Sequence, residues 1–391
     1  MIKTVEINYR GIFQKNLAKK IGSDVVIITS KMGRVGMSNG RYSDSPERNG
    51  IPCKYFAFVT HDLAEEELEA EAGAKLDIDK ADVSVVLDDT MCKGVEPWGW
   101  HGVRAINEKV IEGGAMVVVS KRDHADLLRF VPKKPYDWRL GIIEGEASLA
   151  GLWVNKDDFT HERALGAIAG VDPDVIGIEA VEAYLNAKSP KQPERAQAAR
   201  DAYEEVRKTT KTIKANQGVE WKHELPVLPR WQDFGEGIVV PAVKREFQLG
   251  PLGQSRNEQF KRGTTKTQRP VVRFDLCTKC TLCWLECPDE CFDQTKEGHY
   301  DVAYEYCVGC GKCAQICPVD ECIVMVDELQ FENEHSPWKA YEKDKKRYVE
   351  WAEEKKSRGR YIHPFITGTG LEHVTGKRVP MREREPHTKA A

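Results

Sequence analysis

Cys277-Thr-Lys-Cys280-Thr-Leu-Cys283-Trp-Leu-Glu-Cys287-Pro288 and Cys307-Val-Gly-Cys310-Gly-Lys-Cys313-Ala-Gln-Ile-Cys317-Pro318 share one spacing: two residues, two residues, three residues, then proline. Each member of the second run lies 30 residues after its counterpart, so the pair is an internal repeat. A four-iron, four-sulfide cube needs one thiolate at each iron corner. Three come from one tight loop, and in two-cluster modules of this spacing the fourth cysteine of each run ligates the other cluster. Cluster one is therefore expected on Cys277, Cys280, Cys283 and Cys317, and cluster two on Cys307, Cys310, Cys313 and Cys287. A zinc ribbon needs two pairs of cysteines and has no use for two sets of four ending in proline.

The spacing is that of a bacterial-type ferredoxin carrying two 4Fe-4S clusters, placed at residues 271–328, with an α+β fold. Ten of the twelve cysteines lie between Cys277 and Cys322. Such an island in a long chain reads as metal-binding rather than as a disulfide scaffold. Cys291 and Cys322 stand beyond the prolines at similar offsets and are expected as small packing residues at the cluster walls, as are Cys53 and Cys92 elsewhere. Between Val271 and Glu328 there are twelve acidic and four basic residues. That surplus suits a basic docking partner, and equally suits simple solubility.

At 391 residues the chain is too long for this module alone. A net charge of −4 gives no case for a nucleic-acid partner. No apolar run is long enough to span a bilayer, and Met1–Arg10 reads as a strand rather than a signal peptide. A cytoplasmic location is the expectation.

Residues 1–188 alternate strand and helix patterns, which predicts an α/β domain with a mainly parallel sheet. Strands are expected at Lys3–Asn8, Asp24–Thr29, Lys54–Val59, Val83–Leu87, Met116–Ser120 and Leu140–Ile143. Helices are expected at Ile12–Ile21, Ala64–Ala72, Val103–Glu112, His124–Phe130, His161–Ala169 and Ile178–Ala187. Gly33, Gly36 and Gly40 form a glycine-bearing loop that matches no phosphate cradle. Residues 189–270 read as a connecting arm, polar and alanine-rich at first and then proline- and glycine-bearing. Residues 329–391 form a charged extension with one helix, Trp338–Lys356, that places Trp338, Tyr341, Tyr348, Trp351 and Ala352 on one face. These aromatics, with Trp221, Trp231, Phe234 and Phe247, are expected to lie against partner subunits. The end, Lys377–Ala391, reads as an extended or disordered tail.

Nothing in the chain makes a complete active site, and no catalytic residue is assigned. There is no thiamine diphosphate motif, no strand–GxGxxG–helix fingerprint, no ligand-spaced histidine pair and no nucleophile elbow. The chain resembles the 2-oxoacid:ferredoxin oxidoreductases, with their gamma and delta subunits fused. The gamma resemblance rests on Pro46-Glu-Arg-Asn-Gly-Ile-Pro52, Ala81-Asp-Val-Ser-Val-Val-Leu-Asp88, Asn107-Glu-Lys-Val-Ile-Glu-Gly-Gly114 before Met116–Ser120, and Arg163-Ala-Leu-Gly-Ala-Ile-Ala-Gly170. The delta resemblance rests on Arg269-Pro-Val-Val272 running into the first cysteine block, on Cys283-Trp-Leu-Glu-Cys-Pro-Asp289 and on Tyr304-Glu-Tyr-Cys-Val-Gly-Cys-Gly311.

The resemblance covers residues 1–188 and 265–328. It implies alpha and beta partner subunits holding thiamine diphosphate with magnesium and a further 4Fe-4S cluster. It implies oxidative decarboxylation of a 2-oxo acid there (pyruvate, oxalate or an aryl glyoxylate) and passage of electrons through this chain to a ferredoxin or another acceptor. There is one departure. Family gamma subunits carry GRGGQG after the first strand, and here the stretch is Tyr9-Arg-Gly-Ile-Phe-Gln14, where Ile12 and Phe13 fill space that glycines leave open. Two other readings stand beside this one: a non-catalytic electron-transfer adaptor of a different redox complex, and a purely structural cluster protein.

Overall fold

In the computed structural model, residues 2–40, 52–73, 77–95, 103–145, 159–221, 264 and 266–359 are described. They divide into two compact units, Met1–Pro226 and Val227–Ala391.

The first unit runs β1 (Ile2–Arg10), α1 (Gly11–Lys31), β2 (Val35–Gly40), β3 (Pro52–Thr60), α2 (Glu65–Ala72), β4 (Ala81–Val86), β5 (Val110–Val119), α3 (His124–Leu128), β6 (Trp138–Ile143), α4 (Thr160–Val171), α5 (Ile178–Lys188), α6 (Glu194–Thr209) and β7 (Lys211–Ile213). Its sheet is ordered β2-β3-β1-β4-β5-β6-β7. β1, β4, β5 and β6 pair in parallel, while β3 and β7 run against their neighbours. Five of the seven strands therefore share one direction, the mainly parallel sheet expected. On one face Val5, Ile7, Val83, Val85, Ala115 and Val117 pack under the helices, all fully buried.

Three expectations for this unit are corrected. Asp24–Thr29 is the second half of α1, not a strand. Its β-branched run suggested a strand, but Ala18, Ile21, Val25 and Ile28 recur at helical spacing and all face the core. Val103–Glu112 is not a helix: the chain turns through 103–109 and enters β5 at Val110, with the Asn107 side chain donating to Pro132 O at 2.7 Å. Gly36 and Gly40 sit in the edge strand β2, and only Gly33 (φ 75°) lies in a turn.

The arm expected at 189–270 divides. α6 packs along α4, and β7 pairs with β6, inside the first unit. A Cβ on Gly166 would fall 1.9 Å from Ala199 O, and one on Gly170 would fall 2.4 Å from a Val206 methyl. Small residues on both helices let the backbones touch, and Ala196, Ala199, Ala202 and Val206 join the core. Alanines carry a weak hydrophobic signal in sequence, which is why α6 reads there as linker. Residues 222–263 lie outside the described residues, and with them Trp231, Phe234 and Phe247.

The second unit opens with β8 (Gln268–Val272) and continues through α7 (Leu282–Leu285), β9 (Phe292–Gln294), β10 (Tyr300–Val302), α8 (Lys312–Ile316), β11 (Ile323–Asp327), α9 (Pro337–Lys343) and α10 (Lys345–Gly359). β8 precedes the first cysteine run and pairs antiparallel with β11, which follows the second. β10 precedes the second run and pairs antiparallel with β9, which follows the first. The two halves thus clasp each other with the same pairing twice.

The extension beyond residue 328 does not wait for a partner. Phe274 packs edge-on to Trp338 with centroids 5.0 Å apart, and stands 5.2 and 5.6 Å from Tyr341 and Tyr348. Tyr348 is buried, and its hydroxyl donates to Val272 O at 2.9 Å. Of the aromatics expected at a partner surface, Tyr341 and Tyr348 are core residues of this unit and Trp338 and Trp351 pack half-buried against it, because water-exposed rings of that size forgo roughly 1.5–3 kcal/mol each. The single expected helix is two. Asp344 leaves helical geometry (φ −155°), ends α9, and accepts from Arg347 N at 3.0 Å to cap α10. Residues 360–391, including Lys377–Ala391, lie outside the described residues.

Candidate iron-sulfur centres

Each cysteine run is a loop followed by one helical turn. The loops bend through left-handed residues: Lys279 (φ 60°) and Thr281 (φ 67°) in the first, Gly309 (φ 70°) and Gly311 (φ 79°) in the second. These are counterparts 30 positions apart, so the same bend is made twice. Backbone of this kind turns successive N–H groups inward, toward anionic sulfur. Lys279 N donates to Cys277 Sγ at 3.4 Å, and Gly309 N to Cys307 Sγ at 3.4 Å. The third cysteines, Cys283 and Cys313, are carried by α7 and α8 and are buried.

The eight cysteines gather four and four. Cys277, Cys280, Cys283 and Cys317 line one hollow with about 380 Å³ of open space. Cys287, Cys307, Cys310 and Cys313 line a second of about 320 Å³. Each set takes three members from one run and one from the other. The prolines after Cys287 and Cys317 end each run, and Cys291 N donates to Cys287 Sγ at 3.2 Å. Among the described residues no three His, Cys, Asp or Glu side chains converge as a single metal ion requires. Thiols spaced around a hollow suit a cube, which takes one sulfur at each corner.

Protonation follows position. Burial pushes the Cys283 thiol up to about 12. A hydrogen bond with the Cys322 thiol, outweighing burial, brings Cys277 down to about 5. One with Cys291 brings Cys287 down to about 7. Cys280 and Cys310, the second cysteines of their runs, are the exposed ones.

Residues 271–325 match the family described as "4Fe-4S dicluster domain". Pyruvate synthase subunit PorD of Thermotoga maritima is 37% identical over 109 residues, which is 27% of this chain and 96% of that protein. The chain belongs to the 2-oxoacid:ferredoxin oxidoreductase family. In a second member, the delta subunit of NADH-dependent phenylglyoxylate dehydrogenase of Aromatoleum evansii, 43% of 56 residues are identical, over 14% of this chain and 59% of that one. A solved structure of pyruvate oxidoreductase subunit PORC from Thermotoga maritima aligns over 55% of this chain and 99% of its own length, at 15% identity and a TM-score of 0.36. Membership makes the chain an iron-sulfur subunit of an oxidoreductase. Among the described residues no helix is long and apolar enough to cross a membrane.

In the first unit, the stretch that departs from the family pattern ends β1 and begins α1. Arg10 is buried, 3.8 Å from Asp88, and donates to Thr90 Oγ1 at 3.2 Å. Gln14 Oε1 accepts from Arg10 N at 2.6 Å, and Gln14 Nε2 donates to Leu87 O at 3.3 Å. The side chains of Ile12 and Phe13 lie outside the described residues. Cys53 and Cys92 are buried in this unit, apart from both hollows. Cys291 and Cys322, expected at the cluster walls, each line a hollow beside its four cysteines.

Proposed function

We propose that this chain is the electron-transfer gamma–delta subunit of a thiamine diphosphate-dependent 2-oxoacid oxidoreductase. The observation that carries the reading is the gathering of eight cysteines around two hollows with one ligand exchanged between the runs. Cys277, Cys280, Cys283 and Cys317 would hold one 4Fe-4S cluster, and Cys307, Cys310, Cys313 and Cys287 the other. A bound cluster of this type takes up and releases one electron with little rearrangement. The chain's own residues do the rest. Thiolates bind, the Lys279 and Gly309 amides donate to ligand sulfur, and buried Cys283 and Cys313 keep water from the inner corners. The domain order is a gamma-like unit that takes in α6 and β7, followed by a ferredoxin unit whose core the extension joins.

The relatives are named as subunits, which supports partner subunits; in this proposal they are alpha and beta chains carrying thiamine diphosphate, magnesium and a further cluster. The electron donor is then a 2-oxo acid such as pyruvate, oxalate or an aryl glyoxylate, and the acceptor a ferredoxin or another carrier. Twelve cysteines joined by no disulfide among the described residues suit the reducing cytoplasm. Anaerobic affinity purification of the tagged chain from its native cell tests this. Thiamine-binding subunits should copurify, and a 2-oxo acid should reduce the clusters only in their presence. Copurification with a redox enzyme lacking thiamine would favour the adaptor reading, which the altered Arg10–Gln14 stretch also suits. The purified chain should hold about eight irons, and Cys283→Ser should damage the first cluster alone.

A further inference from the structure

Each hollow is lined by five cysteines, one more than a four-iron cube takes. Around the first, Cys322 joins Cys277, Cys280, Cys283 and Cys317. Around the second, Cys291 joins Cys287, Cys307, Cys310 and Cys313. Both additional cysteines are 2% exposed.

Their placement is not casual. Cys322 lines its hollow together with Cys277 and Cys317, and Cys291 lines the other together with Cys307 and Cys287. Each pair joins the first cysteine of one run to the last of the other. The fifth thiol therefore stands where the two runs meet at each cluster. The residues just before, Glu290 (φ 49°) and Glu321 (φ 62°), are both left-handed. That backbone is unfavourable for glutamate, and keeping it at both equivalent positions marks a constraint on where the next side chain points.

Wall packing alone asks only for a small apolar side chain, and alanine would serve. A thiol adds one proton to donate. As the chain stands each thiol donates to a neutral carbonyl, Cys322 Sγ to Arg273 O at 3.6 Å and Cys291 Sγ to Asp289 O at 3.6 Å. An anionic ligand thiolate is the stronger acceptor, because a charge-assisted hydrogen bond is roughly twice as strong as a neutral one.

We propose that Cys291 and Cys322 are positioning residues that donate S–H hydrogen bonds to the cross-run ligand thiolates of their clusters. Each donor draws negative charge off its ligand and holds that cluster's reduction potential above the value four undonated thiolates would set. No bond to iron forms or breaks in this role. The inference rests on the two-cluster reading.

The test is an anaerobic redox titration of the full chain, followed by the paramagnetic resonance of the reduced clusters. It compares the parent with Cys322→Ala, Cys291→Ala and the serine variants at both positions. Each alanine variant should keep the parent's iron and sulfide, and one of the two midpoint potentials should move to a more negative value while the other stays. The serine variants, whose hydroxyl can donate, should return that potential to the parent value or above. Unmoved potentials in the alanine variants overturn the proposal in favour of packing. Loss of about four irons from an alanine variant overturns it in favour of a ligand. A serine variant with full iron and the alanine potential also overturns it. Failure of the two-cluster reading would show separately, as a parent chain without four-iron resonances before any substitution.

Discussion

Arg269 and Glu328 face each other where β8 begins and β11 ends, with Nε donating to Oε2 at 2.8 Å and both side chains at most 2% exposed. The guanidinium also lies 4.5 Å from the Tyr304 ring and 4.5 Å from the Phe331 ring. This pair ties the first strand of the ferredoxin unit to its last, and so closes the clasp around the two hollows. Removing one partner of a buried pair leaves an uncompensated charge, at a cost of about 3–5 kcal/mol. Arg269→Ala should lower the unfolding free energy of the cluster-loaded chain by that amount in urea titrations. Arg269→Lys should recover only part of the loss, since an ammonium neither forks to both carboxylate oxygens nor stacks as a plane.

The extension should stabilise the cluster unit rather than only an interface. Tyr348→Ala removes a buried ring and a hydroxyl donor, and should cost about 3 kcal/mol or more. Tyr348→Phe should cost about 1 kcal/mol, the worth of the bond to Val272 O. Thermal loss of cluster absorbance measures both. A Tyr348→Ala chain as stable as the parent would mean that α10 contributes no core.

The two cysteine loops should differ in tolerance. A Cβ on Gly309 would stand 2.4 Å from Gln268 O, in a backbone already at φ 70°. Gly309→Ala should therefore reduce cluster incorporation, read as iron per chain. Its counterpart Lys279 adopts φ 60° with a side chain in place. Lys279→Gly should stabilise the chain by about 1 kcal/mol, by relieving left-handed strain.

The first unit should weaken in acid. Burial alone would raise the Asp24 carboxyl, but hydrogen bonds from His161, Lys188 and Tyr184 overcome it and hold it at about 2, below the usual 3.8. Glu162 is held at about 2 against a usual 4.5, where His161 and Arg195 outweigh burial. The unfolded chain thus takes up these protons at higher pH than the folded one. The stabilisation is fully present above about 4.5 and drains away as pH falls toward 2. Melting temperature should fall across that window, and Asp24→Asn should flatten the fall. An equally steep profile in that variant would remove Asp24 from the explanation.

The two cysteine runs and their gathering were legible in sequence because the spacing is local: a loop that wraps a cube corner needs thiols separated by two residues wherever it sits in a fold. Strands such as Lys3–Asn8 and Lys54–Val59, and helices such as His161–Ala169, were legible for the same reason. Asp24–Thr29 was not, because β-branched residues favour strands until a sheet face beneath them recruits Val25 and Ile28 into a helix.

What the sequence determined by itself was the pair of cysteine runs and the alternation of strand and helix before them. What only tertiary structure decided was which side chains become partners across distance. The alanines of α6 look like linker until Gly166 and Gly170 admit them to backbone contact. Trp338 and Tyr348 look like a docking face until Phe274 covers them. Cys291 and Cys322 become walls of the hollows only when the β8–β11 and β9–β10 pairings bring the two cysteine runs together. Such contacts join positions that the chain's local pattern does not link, and they form only when burial of the whole core repays the entropy of closing the loops between them.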